Sequence, residues 1–523
     1  MSTIVISDDL SRIVGSIFND PNYSRQVEAV QKIRDLRVRF ANEKLLIDAY
    51  WTNYNAFNIF AMIIAITILE MGYARYKARS FTIVKNLFIT CCCAISWYLW
   101  GFAFAFGSSV NDGGIGNSFF ADNSLVAPNT LNLWITGFTL SVLSTLIATS
   151  IIAERYGPFI LGLFSIFYAG LCFPLGVHWA WQPEGWLKGL GFVDFSGGAV
   201  VHMAGAAAGL AGLVYSSTRR DRFENQSLEF NTSSKTYIGV GGFLLWILFF
   251  SFNSGQLRTI ISNTELNYTD KVGSVGLNNI VASGVAAIVV FIIQFVVKGL
   301  YDLPHMTNAL LVGLISITAG GSYYIAWPAI CISVASVGIY YGYHLLLKEL
   351  LKIDDPRSGF AIHFGAGSMG LILTGFFHRT NGLFYEAGGK CIGAQFLGLV
   401  IYFAWPFLFS LVFFSIVRIF GPVDPTDNVN SLGEDVAHCG GLASYYDVDS
   451  AVYYAEQLAG VQLSVVEETN RDQTNRDQTN RDQTVKDQTN RDQTVKDQTV
   501  NKDQSHRDQS NNGEGEAQDQ DQE

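Results

Sequence analysis

Asp194 to Leu213 reads D-F-S-G-G-A-V-V-H-M-A-G-A-A-A-G-L-A-G-L, an apolar run with an acid at its head and a histidine inside. A helix of this length suits the hydrocarbon core of a bilayer. Asp194 stands where such a helix begins, so its carboxylate suits an N-cap that accepts from the first backbone N–H groups. His202 follows eight residues on, roughly 12 Å along a helix axis. Gly198, Gly205, Ala206, Ala207, Ala208 and Gly209 leave little bulk, so neighbouring helices can approach backbone to backbone. An imidazole on that surface is costly against lipid. It is expected to face a packed interior or a pathway.

A second stretch of the same character lies far downstream. Phe360 to Gly375 reads F-A-I-H-F-G-A-G-S-M-G-L-I-L-T-G, with His363 backed by small residues as His202 is. Two such histidines suggest an inverted-repeat transporter whose site lies where the repeats meet. The run D-F-S-G-G-x-V-V-H-M-A-G followed by G-L-x-G-L-V resembles the signature of the ammonium transporter family (Amt). D-D-P-x-x-x-F-A-I-H at Asp354–His363 resembles that family's second histidine segment. The likeness runs from about Trp51 to about Tyr446.

Composition agrees with a membrane protein. The chain has 523 residues, 49% hydrophobic and only 15% charged, where a soluble chain has about 25% charged. The net charge of −11 owes much to acids beyond the last apolar segment. Seven cysteines, three of them consecutive at 91–93, follow no disulfide or metal spacing. No secretory signal precedes Asp48, so the first membrane helix directs insertion. With no nucleophile, metal cluster or phosphate loop in view, an enzyme is not expected. Neither a cofactor nor a nucleic-acid partner is implied.

The expected fold is an all-α membrane protein with eleven transmembrane helices, near 55–74, 83–107, 131–153, 157–178, 195–215, 237–257, 274–298, 307–323, 326–348, 359–377 and 393–418. Histidines 202 and 363 then fall on the fifth and tenth, which gives a 5+5 inverted repeat plus one. Five helices per half make the halves opposite in orientation. Arg75, Lys77 and Arg79, then Arg219, Arg220 and Arg222, then Lys348, Lys352 and Arg357 crowd one side. The positive-inside rule makes that side cytosolic, with the N-terminus outside and the C-terminus cytosolic.

Four regions are expected. Residues 1–50 are a polar extension with an amphipathic basic helix: Val27, Val30, Ile33, Leu36 and Phe40 oppose Arg25, Lys32, Arg34, Arg37, Arg39 and Lys44. That helix suits a membrane surface or docking on the protein body. Residues 51–420 form the eleven-helix domain. Residues 421–465 resemble, through G-E-D-V-A-H-C-G-G-L-A-S-Y-Y at Gly433–Tyr446, the family's cytosolic regulatory segment. Residues 466–523 repeat N-R-D-Q-T or V-K-D-Q-T, have almost no apolar side chains and are expected to be a disordered tail.

The resemblance also implies a pore. His202 and His363 would be its twin histidines, sharing a hydrogen bond across it. Trp181, in His178-Trp179-Ala180-Trp181, would hold the ammonium cation against its ring at the outer mouth; a tryptophan there also suits anchoring at the lipid interface. Phe252, in F-F-S-F-N-S-G, would close the mouth. Gln256 stands where the family often has a serine and would offer its amide oxygen to the cation. The second gating ring maps onto Leu140, with Phe138 two residues away, so the gate is altered at one of the two. Asp194 would act from beneath the mouth through helix-end backbone groups and negative potential.

The implied function is passage of ammonium or ammonia, with methylammonium as analogue, through a pore in each subunit of a homotrimer in a lipid bilayer, the plasma membrane being expected. An ammonium sensor signalling through the C-terminal region, or a Rh-type gas channel, is the alternative. The topology is open to a glycosylation test. Asn22-Tyr-Ser and Asn267-Tyr-Thr should accept sugar when the chain is made in a glycosylating membrane, while Asn225-Gln-Ser and Asn231-Thr-Ser should stay bare. Sugar on Asn225 or Asn231 would invert the arrangement.

Overall fold

A computed structural model describes residues 21–121, 130–219, 222–223, 232–258, 268–385, 391–421, 425, 429, 433–441, 478, 481–494 and 496. The four sequons fall outside the described residues or, at Asn22, outside the described side chains. Helices dominate: α1 (Pro21–Tyr73), α2 (Tyr76–Phe106), α3 (Thr130–Ile151), α4 (Pro158–Gly189), α5 (Gly198–Tyr215), α6 (Lys235–Ser254), α7 (Tyr268–Lys298), α8 (Leu303–Ser316), α9 (Ala326–Leu350), α10 (Ala361–Phe377) and α11 (Ile392–Ile419). Among the described residues nine are long and apolar enough to cross a membrane, whereas α8 and α10 are shorter apolar helices. One small hairpin departs from the all-α expectation. Ser109 pairs with Gly116 and Val110 with Ile115 around a turn at Asn111, Asp112 and Gly113.

α5 is the most enclosed helix and packs against α3, α10 and α11. Its small residues make this possible. A Cβ on Gly205 would stand 2.5 Å from the Ser144 carbonyl of α3, and one on Gly367 of α10 would stand 2.7 Å from the Gly198 carbonyl. Large apolar side chains such as Phe243, Ile247, Val296, Val400 and Val412 are exposed instead. They form the outward surface of a body whose solvent is lipid.

Residues 25–44 depart from expectation. They do not form a separate helix but continue into the first apolar segment as one helix, α1, and the described side chains from Arg25 to Leu46 are exposed. No glycine or proline interrupts residues 22–71, so nothing breaks the helix between its polar and apolar parts.

Buried charges gather at one end of the helices. Arg219 holds Asp354 with two bonds, of 2.8 and 3.0 Å, and Arg155 and Arg222 reach the same carboxylate at 2.7 and 3.1 Å. Glu154 takes Arg75 and, at 3.5 Å, Arg219. Burial alone would raise the Glu154 carboxyl, yet these guanidiniums hold it down at about 2. Arg75, Arg219 and Arg222, read as cytosolic-loop markers, are therefore structural, whereas Lys348 and Lys352 are exposed and pair with Glu349. The buried pairs tie the α1–α2, α3–α4, α5–α6 and α9–α10 connections into one layer.

The chain divides into two compact units, residues 1–444 and 445–523. In the second, residues 481–494 of the repeat are helical and fully exposed, where disorder was expected. Thr489 and Thr494 hydroxyls donate to the carbonyls of Val485 and Asn490. Such bonds are local and need no core. The other residues of the tail lie outside the described ones.

A short helix, α12 (Glu434–Cys439), docks on the charged end of the first unit. Asp435 accepts from the backbone N–H groups of Arg79 and Phe81, at 3.0 and 2.8 Å, and so caps α2. Gly433 stands at φ 90°, and a side chain there would collide with Lys77. Glu434 is buried beside this contact, with His438 at 3.4 Å. Burial, then the negative charges of Glu154 and Asp435, raise its carboxyl to about 7, with Arg75 opposing. A raised carboxyl favours the docked helix while it is protonated, so the contribution is full at low pH and fades as pH rises through about 7. Hydrogen exchange at residues 434–439 should accelerate, beyond the intrinsic change, between mildly acid and mildly basic pH. Glu434→Gln should remove that extra dependence.

Candidate functional site

Both histidines sit in widened helical turns, Gly198–Met203 and Ala361–Gly365. Such π turns are frequent at functional sites, because the extra residue re-aims side chains. Here they bring two rings from opposite halves of the chain together. His202 Nδ1 and His363 Nδ1 are 3.1 Å apart, the rings nearly parallel with centroids at 5.2 Å. One Nδ1 must donate and the other accept. The two Nε2 atoms then differ, the one on the donor ring being an acceptor and the other a donor. His202 is buried and its Nε2 has no hydrogen-bond partner among the described residues.

Each histidine helix begins on an acid. Asp194 accepts from the N–H groups of Gly197, Ala199 and Val200 at 3.1, 2.9 and 2.8 Å. Gly197 makes the turn at φ 96°, which a side chain would strain. Asp355 stands the same eight residues ahead of His363 as Asp194 does ahead of His202. It accepts from Gly359 and Phe360 at 2.9 and 2.8 Å. Sequence reasoning found the first acid and passed over the second, although the equal Asp–His spacing was in view.

The remaining candidates are not all brought together. Phe252 is buried with its ring 5.3 Å from that of His202, and Phe249 lies 5.3 Å from Phe252. Trp181 donates its indole N–H to the Asp194 carbonyl at 2.7 Å, which ties its ring to the start of α5. Gln256 offers its amide oxygen to Arg258 at 3.5 Å. That oxygen, expected for the cation, already faces a guanidinium. Phe138 stacks on Trp134 and packs against Phe60. Leu140 is buried in the core. The only ring described against His202 from a mouth candidate is therefore that of Phe252.

Beside the histidines lies a small cavity of about 70 Å³. Leu143, Leu146, Leu245, Leu311 and Ile362 form its apolar wall, and Glu70, Tyr73, Asn308 and Arg357 are polar groups of its lining. Glu70 and Lys85 went unnoticed in the sequence, although acids and bases inside apolar segments are the strongest signal a membrane sequence offers, and Arg357 was read only as a loop charge.

A twin-imidazole contact, acid-capped helices and a narrow apolar cavity now stand beside the motifs that carried the resemblance. The Ammonium Transporter Family matches residues 50–444. The chain belongs to that family. It is 30% identical over 417 residues to Ammonium transporter 3 of Dictyostelium discoideum, covering 76% of this chain and 94% of that one. It is 30% identical over 420 residues to Ammonium transporter 1 member 2 of Arabidopsis thaliana, covering 73% and 80%. Among solved structures it resembles a Sensor Amt Protein, at 27% identity and a TM-score of 0.69 over 76% of this chain and 99% of that one. It shares its fold with Saccharomyces cerevisiae Mep2, at 20% identity and a TM-score of 0.65 over 73% and 88%. As a member of the family, the chain is a multi-pass membrane protein and not an enzyme.

Within this family member, Asp194 yields a stability test. Asp194→Ala strands three buried N–H donors, each costing about 1–3 kcal/mol. Asp194→Asn keeps one acceptor oxygen and should lose markedly less. Thermal unfolding of the detergent-solubilised protein should rank wild type, Asn, Ala in falling order. Equal losses would place the weight on the charge and not on the accepted bonds.

Proposed function

We propose that the chain transports ammonium across a membrane, recruiting the cation at an outer aromatic mouth and passing ammonia along the His202–His363 pair. The observation that carries this is the 3.1 Å imidazole contact beside a narrow apolar cavity, in a member of the Ammonium Transporter Family. Ammonium donates hydrogen bonds and can lose a proton, whereas potassium can do neither. A neutral imidazole pair with one Nε2 donor and one Nε2 acceptor suits such a species. Trp181 and Phe252 would form the mouth, with Phe138 and Leu140 contributing no second gating ring. Gln256 would take part only after releasing Arg258. Asp194 would orient the α5 backbone N–H groups and add negative potential.

Eleven membrane spans follow if α8 and α10 are counted with the nine longer helices, with α10 bearing His363. The N-terminus would lie outside, the charged layer and α12 in the cytosol, and three copies would assemble in the plasma membrane. A sensor is the second reading, favoured by the α12 contact beneath the helices and by the likeness to a Sensor Amt Protein. Uptake of labelled methylammonium in cells lacking their own ammonium transporters separates the two, since a sensor would conduct little. His202→Ala and His363→Ala should each change uptake by about tenfold or more, the worth of one lost hydrogen bond at its upper range. Unchanged uptake and unchanged discrimination against potassium in both variants, at matched surface expression, would overturn the pore assignment.

A further inference from the structure

Two charged side chains line the histidine cavity. Glu70, near the end of α1, and Arg357, in the loop before α10, are both buried, with Nη1 of Arg357 2.5 Å from Oε1 of Glu70. They line the cavity from opposite halves of the chain. The other carboxylate oxygen, Oε2, is taken by Lys85 at 3.2 Å and Asn86 at 2.9 Å, both from α2. Glu70 is thus shared by two cations, and the trio carries a formal charge of +1. Arg357 is also firmly placed, because its loop is pinned through Asp355 to the start of α10.

The Nε–H of Arg357 is buried and has no hydrogen-bond acceptor among the described residues. An orphaned charged donor beside a cavity calls for an acceptor from outside the protein. The acceptor must be small enough for about 70 Å³ and must not carry positive charge. Ammonia meets both requirements, for its nitrogen lone pair accepts a hydrogen bond. Ammonium has no lone pair left, and potassium offers only charge. Both would meet a guanidinium in a low-dielectric wall, where like charges repel far more strongly than in water.

We propose that Glu70 and Arg357 form a second polar station in the histidine cavity, where Arg357 donates to uncharged ammonia and bars cations. Glu70 is the positioning residue. Held on its other oxygen by Lys85 and Asn86, it fixes the guanidinium on the cavity wall. The proposal rests on the transport reading and assigns the inner barrier to residues outside the twin-histidine motifs.

The test uses the full chain, reconstituted in liposomes at matched protein content, with methylammonium and rubidium as probes. Wild type should take up methylammonium and exclude rubidium. Arg357→Gln leaves Glu70 paired with Lys85, so the trio becomes neutral and no unpaired acid remains. It should admit rubidium by roughly tenfold or more over wild type, as expected when one charge leaves a buried wall. Arg357→Lys keeps the charge and should still exclude rubidium. This is a contrast that mere loss of packing would not produce. Should Arg357→Gln fail to assemble, Arg357→Met, uncharged and unbranched, is scored in the same way. Rubidium exclusion by an assembled, methylammonium-conducting uncharged variant would overturn the station, as would rubidium passage through wild type. A wild type that takes up no methylammonium would instead sink the transport reading on which the station depends.

Discussion

Two imidazoles meet at 3.1 Å inside an apolar body, and the surrounding packing is arranged to permit it. Their helices must cross at near backbone contact. A Cβ on Gly367 of α10 would stand 2.7 Å from the Gly198 carbonyl of α5. Both helices also lie close to the end of α8 and the segment after it, where a Cβ on Gly370 would stand 1.9 Å from the Ser316 carbonyl and one on Gly198 3.1 Å from Ala319. In lipid there is little hydrophobic gain in bringing helices together, so close van der Waals contact and internal hydrogen bonds hold them. Small residues on α5 and α10 supply the first. The capped helix starts supply part of the second, because each acid satisfies N–H groups that the helix itself leaves open. Shape and polarity therefore converge on the same two turns.

Charge in such a body must be matched locally, since removing one partner leaves an ion the interior cannot solvate. The chain does this in three ways. Asp194 and Asp355 are matched by backbone N–H groups. Glu154 and Asp354 are matched by arginines from several connections, Arg219 bridging the two. Glu70 is matched by Lys85 and Arg357 on separate oxygens. Only the last lies along the histidine cavity, which distinguishes it from the purely structural layer.

The sequence made the membrane character, the central helix and the histidine pair legible, because each rests on local pattern. An apolar run of bilayer length, a stripe of glycine and alanine, and a histidine within them need no knowledge of the partner. Asp194 was legible for the same reason, as capping reaches only a few residues along the chain. Side-chain pairings across the body were not. Nothing in the order of residues tells that Phe138 turns toward Trp134 and Phe60, or that Gln256 faces Arg258. Glu70 and Arg357 lie 287 positions apart, and their meeting depends on how the halves close. Arg357 was read as a loop charge reporting orientation. The same arginine can report orientation and still be buried, because positive-inside statistics do not distinguish a solvated base from a paired one.

Contacts also run without a break from the docked α12 to the cavity. Asp435 grips the N–H groups of Arg79 and Phe81 near the start of α2. Lys85, less than two turns beyond Arg79, holds Glu70, and Glu70 holds Arg357 on the cavity wall. A single rigid turn-and-a-half of helix thus separates the C-terminal contact from the charged lining. Continuity of this kind is not itself coupling, which requires an element with two arrangements that both sites bias. The docked α12 has the means to be that element. Its buried Glu434 changes charge around neutral pH, beside Glu154 of the α3–α4 connection, so undocking separates those two carboxylates as that proton leaves. The start of α2 would then lose its Asp435 cap, and the residues placed to register that loss first are those on the same helical segment as Lys85.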